Sequence, residues 1–172
     1  VAALGHLARR FVGSLRPGGP PAVDVSWAAQ HLLDSERELW DRMSGPDRRH
    51  SVAVARRVER ALGHEATRPV LAAALLHDVG KTTSGLRTYG RVVASVSAMV
   101  GGHEMADHWA KKRGFTRRVG LYLQHDVIGA DQLDMAGSDP LTVTWAREHH
   151  WPEHMWTLDP RVAHALKAAD DD

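Results

Sequence analysis

The stretch LAAALLHDVGKT, Leu71 to Thr82, constrains the fold more than any other part of the chain. Six consecutive Ala and Leu residues offer no polar face to solvent, so the helix they form belongs in a core. That run ends in an adjacent His77 and Asp78. Burying a carboxylate or an imidazole without a partner costs several kcal/mol. The pair therefore requires hydrogen bonds, a salt bridge or a metal, supplied by whatever other segments meet the end of this helix.

Around it the chain reads as helices separated by Pro and Gly. Arg16 to Ala22, RPGGPPA, divides a first helix from one expected to run from about Val25 to Met43. Ser44 is placed as an N-cap with Pro46 near the first turn and Asp47 in the helix-start acid position. The helix they open carries Val52, Val58 and Leu62 on an apolar stripe with arginines opposite, and Gly63 closes it. Thr67 with Pro69 starts the helix that reaches His77-Asp78, where Gly80 breaks it. YGRVVASVSAMVGG and HEMADHWAKKRG are two further helical segments, each ended by Gly. Thr116 is the expected cap of a long helix through TRRVGLYLQHDVIGADQLDMAG. Asp139-Pro140 and Asp159-Pro160 then repeat one device, an N-cap acid followed by Pro at the first helical position.

No stretch reads as a strand that combines period-two alternation with β-branched enrichment, and no Asn-Gly or Asp-Gly hairpin signal is present. The expectation is an all-α bundle of about eight helices. Residues 1–22 would form an N-terminal helix and Pro/Gly loop, and residues 23–172 the main helical domain. A chain of 172 residues is long enough to bury a real core. Its formal charge of +1 is too small to argue for nucleic acid or an anionic membrane as partner. There is no cysteine, which excludes disulfides, thiolate zinc sites and cysteine nucleophiles, and fits a cytoplasmic location. No apolar stretch reaches the roughly 20 residues that span a bilayer. The N-terminal VAALGHLARRFVGSL carries two adjacent arginines in its middle and reads as an amphipathic helix, not a signal peptide.

The unusual count is histidine, twelve in all, about three times an average usage on the order of 2%. One of them, His50, lies inside an otherwise Arg/Val helix. Near the end, RVAHALKAADDD is a helix finishing in acids, with Asp170 first after an apolar run. A helix C-terminus is the wrong end for a carboxylate, because the macrodipole is negative there. A bound cation would offset it; a solvated, frayed tail is the plainer alternative.

Together His50, the ALLHDVGK segment and Asp170 resemble the HD superfamily of metal-dependent phosphohydrolases, over roughly residues 46 to 172. Gly80 and Lys81 fit the HD-x-G-K form, and Asp170 sits in LKAAD like the acid of that superfamily's last helix. A second layer is similar to the HD-GYP branch. HDVIGADQL, from His125, resembles its His-x-x-x-Gly-Ala segment, and His149-His150 supply its His-His pair. The branch's order H, HD, H, HH, D is reproduced in full.

The resemblance implies a metal site in the bundle core. His50, His77, Asp78 and Asp170 would hold a first divalent ion, and Asp78 would bridge to a second held by His125, His149 and His150. Imidazoles and carboxylates together suit Fe, Mn, Zn or similar ions, one or two per chain. Two such ions roughly 3.5–4 Å apart clamp a phosphoryl oxygen and lower the pKa of a bridging water. Asp78 and Lys81 would be the catalytic residues. Lys81, Arg87 and Arg91, which follow the His-Asp pair, are the candidates for holding phosphate oxygens, with Arg87 and Arg91 more readily read as solvated. The implied activity is hydrolysis of a phosphoester or phosphoanhydride, in particular of a nucleotide, by metal-bound hydroxide.

Departures narrow this. Asp126 follows the third His where the branch usually has Pro, WPEHMWTLDP replaces the Gly-Tyr-Pro segment, and the stretch from Asp78 to His125 is long. Cyclic-di-GMP is therefore not supported as substrate, whereas a small phosphorylated molecule is. A di-iron oxygenase of the HD type and a non-catalytic metal-containing sensor are the competing readings. His103 is assigned a surface or packing role. His6, His31, His64, His108, His154 and His164 read as ordinary polar or half-buried residues, and Trp145, Trp151 and Trp156 as core before stacking platforms. Of these, Trp151, beside His150, is the candidate for stacking on a base.

Overall fold

The structure is a computed structural model that describes residues 18–86, Gly90 and residues 104–171. The expected N-terminal helix and nearly all of YGRVVASVSAMVGG, with Arg87, Arg91 and His103, lie outside these residues. All regular structure among the described residues is helical. The helices are α1 (Ala22–Ala29), α2 (Asp34–Asp41), α3 (Gly45–Leu62), α4 (Arg68–Leu76) and the single turn α5 (Lys81–Ser84). Beyond Gly90 come α6 (Glu104–Ala110), α7 (Gly114–Leu123), α8 (His125–Met135), α9 (Pro140–Glu148) and α10 (Pro160–Asp171).

Several ends follow from local chemistry. Ser44 accepts a hydrogen bond from the Asp47 amide at α3's start, and Gly63 takes φ 57° at its end. Asp139 accepts from the Leu141 amide and Asp159 from those of Arg161 and Val162, so both Asp-Pro pairs open helices as expected. Helix α4 is the axis of the bundle: Val70 through Leu76 are all buried. Helices α3 and α9 pack against it, α10 packs on α3, and α8 on α9. The core between them includes Val54, Val58, Leu75, Leu76, Leu133, Trp145 and Leu166. Helices α6 and α7 pack together beside this bundle, where Leu86 and Val119 gather Trp109, Tyr122 and Leu123. None of the helices among the described residues is long and apolar enough to cross a membrane.

Two expected helices are each divided. The helix expected over Val25 to Met43 breaks between Ala29 and Asp34. Glu36, fully buried, turns its carboxylate back to the Leu33 amide at 2.8 Å and receives Arg68 at 3.1 Å, so α2 starts afresh there. The long helix expected from Thr116 instead begins at Gly114, and Thr116 lies within its first turn. That helix stops at Gln124, whose φ −101° and ψ 16° leave the helical region, and His125 begins α8.

Gly80 ends nothing by conformational freedom: its φ −62° and ψ −19° are open to any residue. Its reason is proximity. A Cβ at Gly80 would lie 2.0 Å from the carbonyl oxygen of His125 and 2.6 Å from the amide nitrogen of Gly129. Backbone therefore meets backbone where the turn after α4 crosses α8. Gly80→Ala should destabilise the protein by about 3 kcal/mol, at the upper end of overpacking costs. Gly63→Ala, with positive φ but nothing within 4 Å of the added carbon, should cost only about 1 kcal/mol. Urea unfolding of the two variants checks the order; a Gly80→Ala variant as stable as Gly63→Ala would remove the close approach.

Candidate metal centre

The C-terminal carbonyls of a helix have no intrahelical partner, and three histidines use them. His77, the residue that caps α4, hydrogen-bonds through Nδ1 to the Ala74 carbonyl at 3.0 Å. His149, which caps α9, does the same to Ala146 at 2.9 Å, and His125 to Tyr122, in the last turn of α7, at 2.7 Å. A carbonyl only accepts, so each ring donates from Nδ1, which turns Nε2 toward the centre as the atom available to an ion. This is the arrangement in which an imidazole is oriented to ligate a metal.

The Nε2 atoms face two carboxylates. Asp78 Oδ1 lies 3.4 Å from His125 Nε2 and 3.8 Å from His149 Nε2, and Asp78 Oδ2 lies 3.5 Å from His77 Nε2. Asp170 Oδ1 lies 2.9 Å from His50 Nε2 and 3.5 Å from His77 Nε2. His150 Nε2 approaches His125 Nε2 to 3.1 Å. Asp78, His125, His149 and His150 form one group whose ligand atoms all lie within 4.8 Å of one another, and His50, His77 and Asp78 form a second. Asp78 belongs to both. His77, Asp78, His125, His149 and Asp170 are buried, His50 is half-buried and His150 opens to solvent.

The fit to an ion rests on two atoms. His77 Nε2 and His149 Nε2 are buried and have no hydrogen-bond partner, a state that is costly for a polar atom. Both lie beside the Asp78 carboxylate, at 3.5 Å and 3.8 Å, and mixed nitrogen and oxygen donors of this kind suit a transition metal. The chain thus carries a buried His/Asp cluster in an all-helical bundle that fits a metal site.

Electrostatics separates the two halves. Burial pushes the Asp78 carboxyl upward, but Lys81, His77 and His125 more than offset it and hold it well below the usual carboxylate range. His77 is disfavoured as a cation by burial, yet Asp78 and Asp170 outweigh that and raise its pKa. His149 goes the other way: burial, then the neighbouring His150 and His77, push it well below an ordinary imidazole. His150 is lowered too, by the protein packed around its ring and by His125.

All seven histidines and aspartates singled out in the sequence meet here: His50, His77, Asp78, His125, His149, His150 and Asp170. Lys81 joins them, its ammonium on Asp78 Oδ2. Asp170 is buried, not frayed, because α10 continues to Asp171 and Arg57 donates to the Ala169 carbonyl at 3.1 Å. His64, His108, His154 and His164 are exposed and His31 lies edge-on to Trp27, away from the centre. Trp145 is core and Trp151 half-buried.

Three supporting residues were not anticipated. Tyr122 both holds His125 by its carbonyl and stacks on its ring, with centroids 5.6 Å apart. Arg57 secures the end of α10. Glu148, buried just before the His-His pair, accepts from the Thr157 amide at 2.8 Å and the Thr157 hydroxyl at 2.7 Å, tying the loop after His150 back to α9. An acid in the last turn of a helix was the available signal for Glu148, since that end repels carboxylates.

No protein-family model matches the chain, and no curated protein or solved structure is significantly similar to it.

The opposed imidazole shifts predict opposed pH responses. His77, its pKa raised, retains its proton beyond the ordinary imidazole range, so an ion entering on the His50–His77–Asp170 side must expel it. Affinity on that side should keep rising as pH passes about 6.5. His149 and His150, with lowered pKa values, are already neutral at pH 7, so an ion binding there displaces no proton from either. Calorimetry in buffers of different ionisation enthalpy reads the protons released by each ion. Equal proton release from both sides would contradict this assignment.

Proposed function

We propose that the chain is a metal-dependent phosphohydrolase of the HD type, acting on a phosphoester or phosphoanhydride of a small, nucleotide-like molecule. One observation carries the reading: five imidazoles, three of them oriented by backbone carbonyls, gather into two ion-sized groups that share Asp78, with Asp170 beside the His50–His77 side. His50, His77, Asp78 and Asp170 would hold one ion, and Asp78, His125, His149 and His150 the other. When bound, Fe, Mn, Zn or a similar ion supplies a Lewis acid for a phosphoryl oxygen and an acidified water.

The chain's own residues support the rest. The backbone carbonyls of Ala74, Tyr122 and Ala146 orient three rings before any ion arrives, so little reorganisation remains for binding. Lys81 places a cation beside the carboxylates, where a phosphate would otherwise meet only anionic oxygens. His150 is the exposed ligand and marks the side from which a substrate comes, with Trp151 next to it as the candidate for stacking on a base. A net charge of +1 supports a small substrate over nucleic acid or an anionic membrane. The absence of cysteine supports a cytoplasmic setting.

The test begins with elemental analysis of protein purified without chelator. Metal content approaching two per chain is expected, and the double variant His149→Ala/His150→Ala should fall toward one. Phosphate release is then followed on nucleoside mono-, di- and triphosphates and on an aryl phosphate with Mn(II), Fe(II) or Zn(II). Asp78→Ala, which deprives both groups of their shared oxygen donor, should lose roughly 100-fold or more in rate. Full activity in Asp78→Ala would refute the proposal. Oxygen consumption by an iron-loaded protein without phosphate release would replace it with an oxygenase, and a tightly held, non-exchanging ion without turnover with a sensor.

A further inference from the structure

One charged group in the centre is neither imidazole nor carboxylate. Lys81 begins α5, three residues after Asp78, and the turn between them is closed by the Lys81 amide donating to the Asp78 carbonyl at 3.1 Å. That turn brings its side chain back over the pair, so that Nζ sits directly on Asp78 Oδ2. The lysine side chain is only 12% exposed. Oδ2 is also the oxygen that faces His77 Nε2, the buried nitrogen left without a partner. The other oxygen, Oδ1, faces His125 and His149 and carries no ammonium.

We propose that Lys81 is the resident cation of the metal-free centre, and that an ion binding to Asp78 Oδ2 displaces its ammonium into the opening of the site. This rests on the metal reading above and adds an interlock to it. A divalent ion held by Oδ2 and His77 would meet the ammonium on that same oxygen, and two cations on one carboxylate oxygen repel each other strongly. Lysine suits the role because its point charge sits on a flexible stem that can swing away while the backbone stays fixed. Before loading, Asp78 is neutralised from within and the bundle can hold a buried carboxylate without an ion. After loading, the same ammonium is free to meet an anion. The cation that would hold a phosphate is thus offered only once the metal is in place, and a metal-free chain has little to hold such a substrate.

The experiment uses Mn(II) alone as the probe. The chain has four lysines, and Lys111 and Lys112 are exposed internal controls. Acetylation by a limiting amine-reactive ester, read by peptide mass spectrometry, should be slow at Lys81 without metal. It should rise about fivefold or more with Mn(II), while Lys111 and Lys112 do not change. By calorimetry, Lys81→Met should bind Mn(II) about tenfold more tightly than wild type, because the competitor is gone, with Lys81→Gln as the second variant if Met does not fold. Mn(II) that binds wild type while Lys81 stays protected, or binding weakened in both variants, would overturn the interlock and leave the metal site standing. A wild-type chain that binds none of Mn(II), Zn(II) or Fe(II) would overturn both.

Discussion

A carboxylate as deeply buried as Asp78 stays ionised only if positive or hydrogen-bonding groups face it, and the bundle converges on that requirement. Helices α4, α9 and α10 bring their C-terminal ends to the centre, carrying His77, His149 and Asp170. Each such end is the negative pole of a helix. Helix α8 starts there with His125, and α3 passes with His50. Three negative poles and two carboxylates make a strongly cation-seeking spot inside an otherwise apolar core. Lys81 and the proton-holding tendency of His77 are what the polypeptide itself offers against that field.

The same geometry explains how uncharged residues prepare the rings. Unpaired carbonyls at helix ends ordinarily go to water or a capping residue. Here those of Ala74, Tyr122 and Ala146 are used on histidines that close or follow their own helices. Orientation of the ligating atoms is therefore a by-product of where the helices stop. Glu148 and Arg57 extend the pattern, one fixing the loop beyond α9 and the other the last turn of α10.

Much of this was legible in the sequence because the evidence is local. Caps at Ser44, Asp139 and Asp159 declare themselves by side-chain chemistry, and the apolar run Leu71 to Leu76 could only be core. His77, Asp78 and Asp170 stood out at the ends of apolar helical runs, whereas His50, His125, His149 and His150 were singled out by the resemblance to the HD superfamily. What was not legible depends on distant contacts. Nothing near His31 announces a break, because the break is stabilised by Glu36 reaching Arg68 across 32 positions. The interruption at Gln124 has no Pro or Gly to mark it, yet it turns His125 into the first residue of a helix. The role of Gly80 was hidden for the same reason: it depends on a carbonyl 45 positions away.

That last contact sets a dimension. Asp78 and His125 lie on segments held apart by the main chain of Gly80 against that of His125, with no side chain between them. Their separation is gauged by peptide units, whose size does not vary with the residues chosen elsewhere. Leu, Val or Trp residues of the surrounding core could then be exchanged, and the bundle could swell or settle by a fraction of an ångström, while the span between these two donors held. A centre gauged this way keeps the spacing of its donor atoms while the protein around it changes.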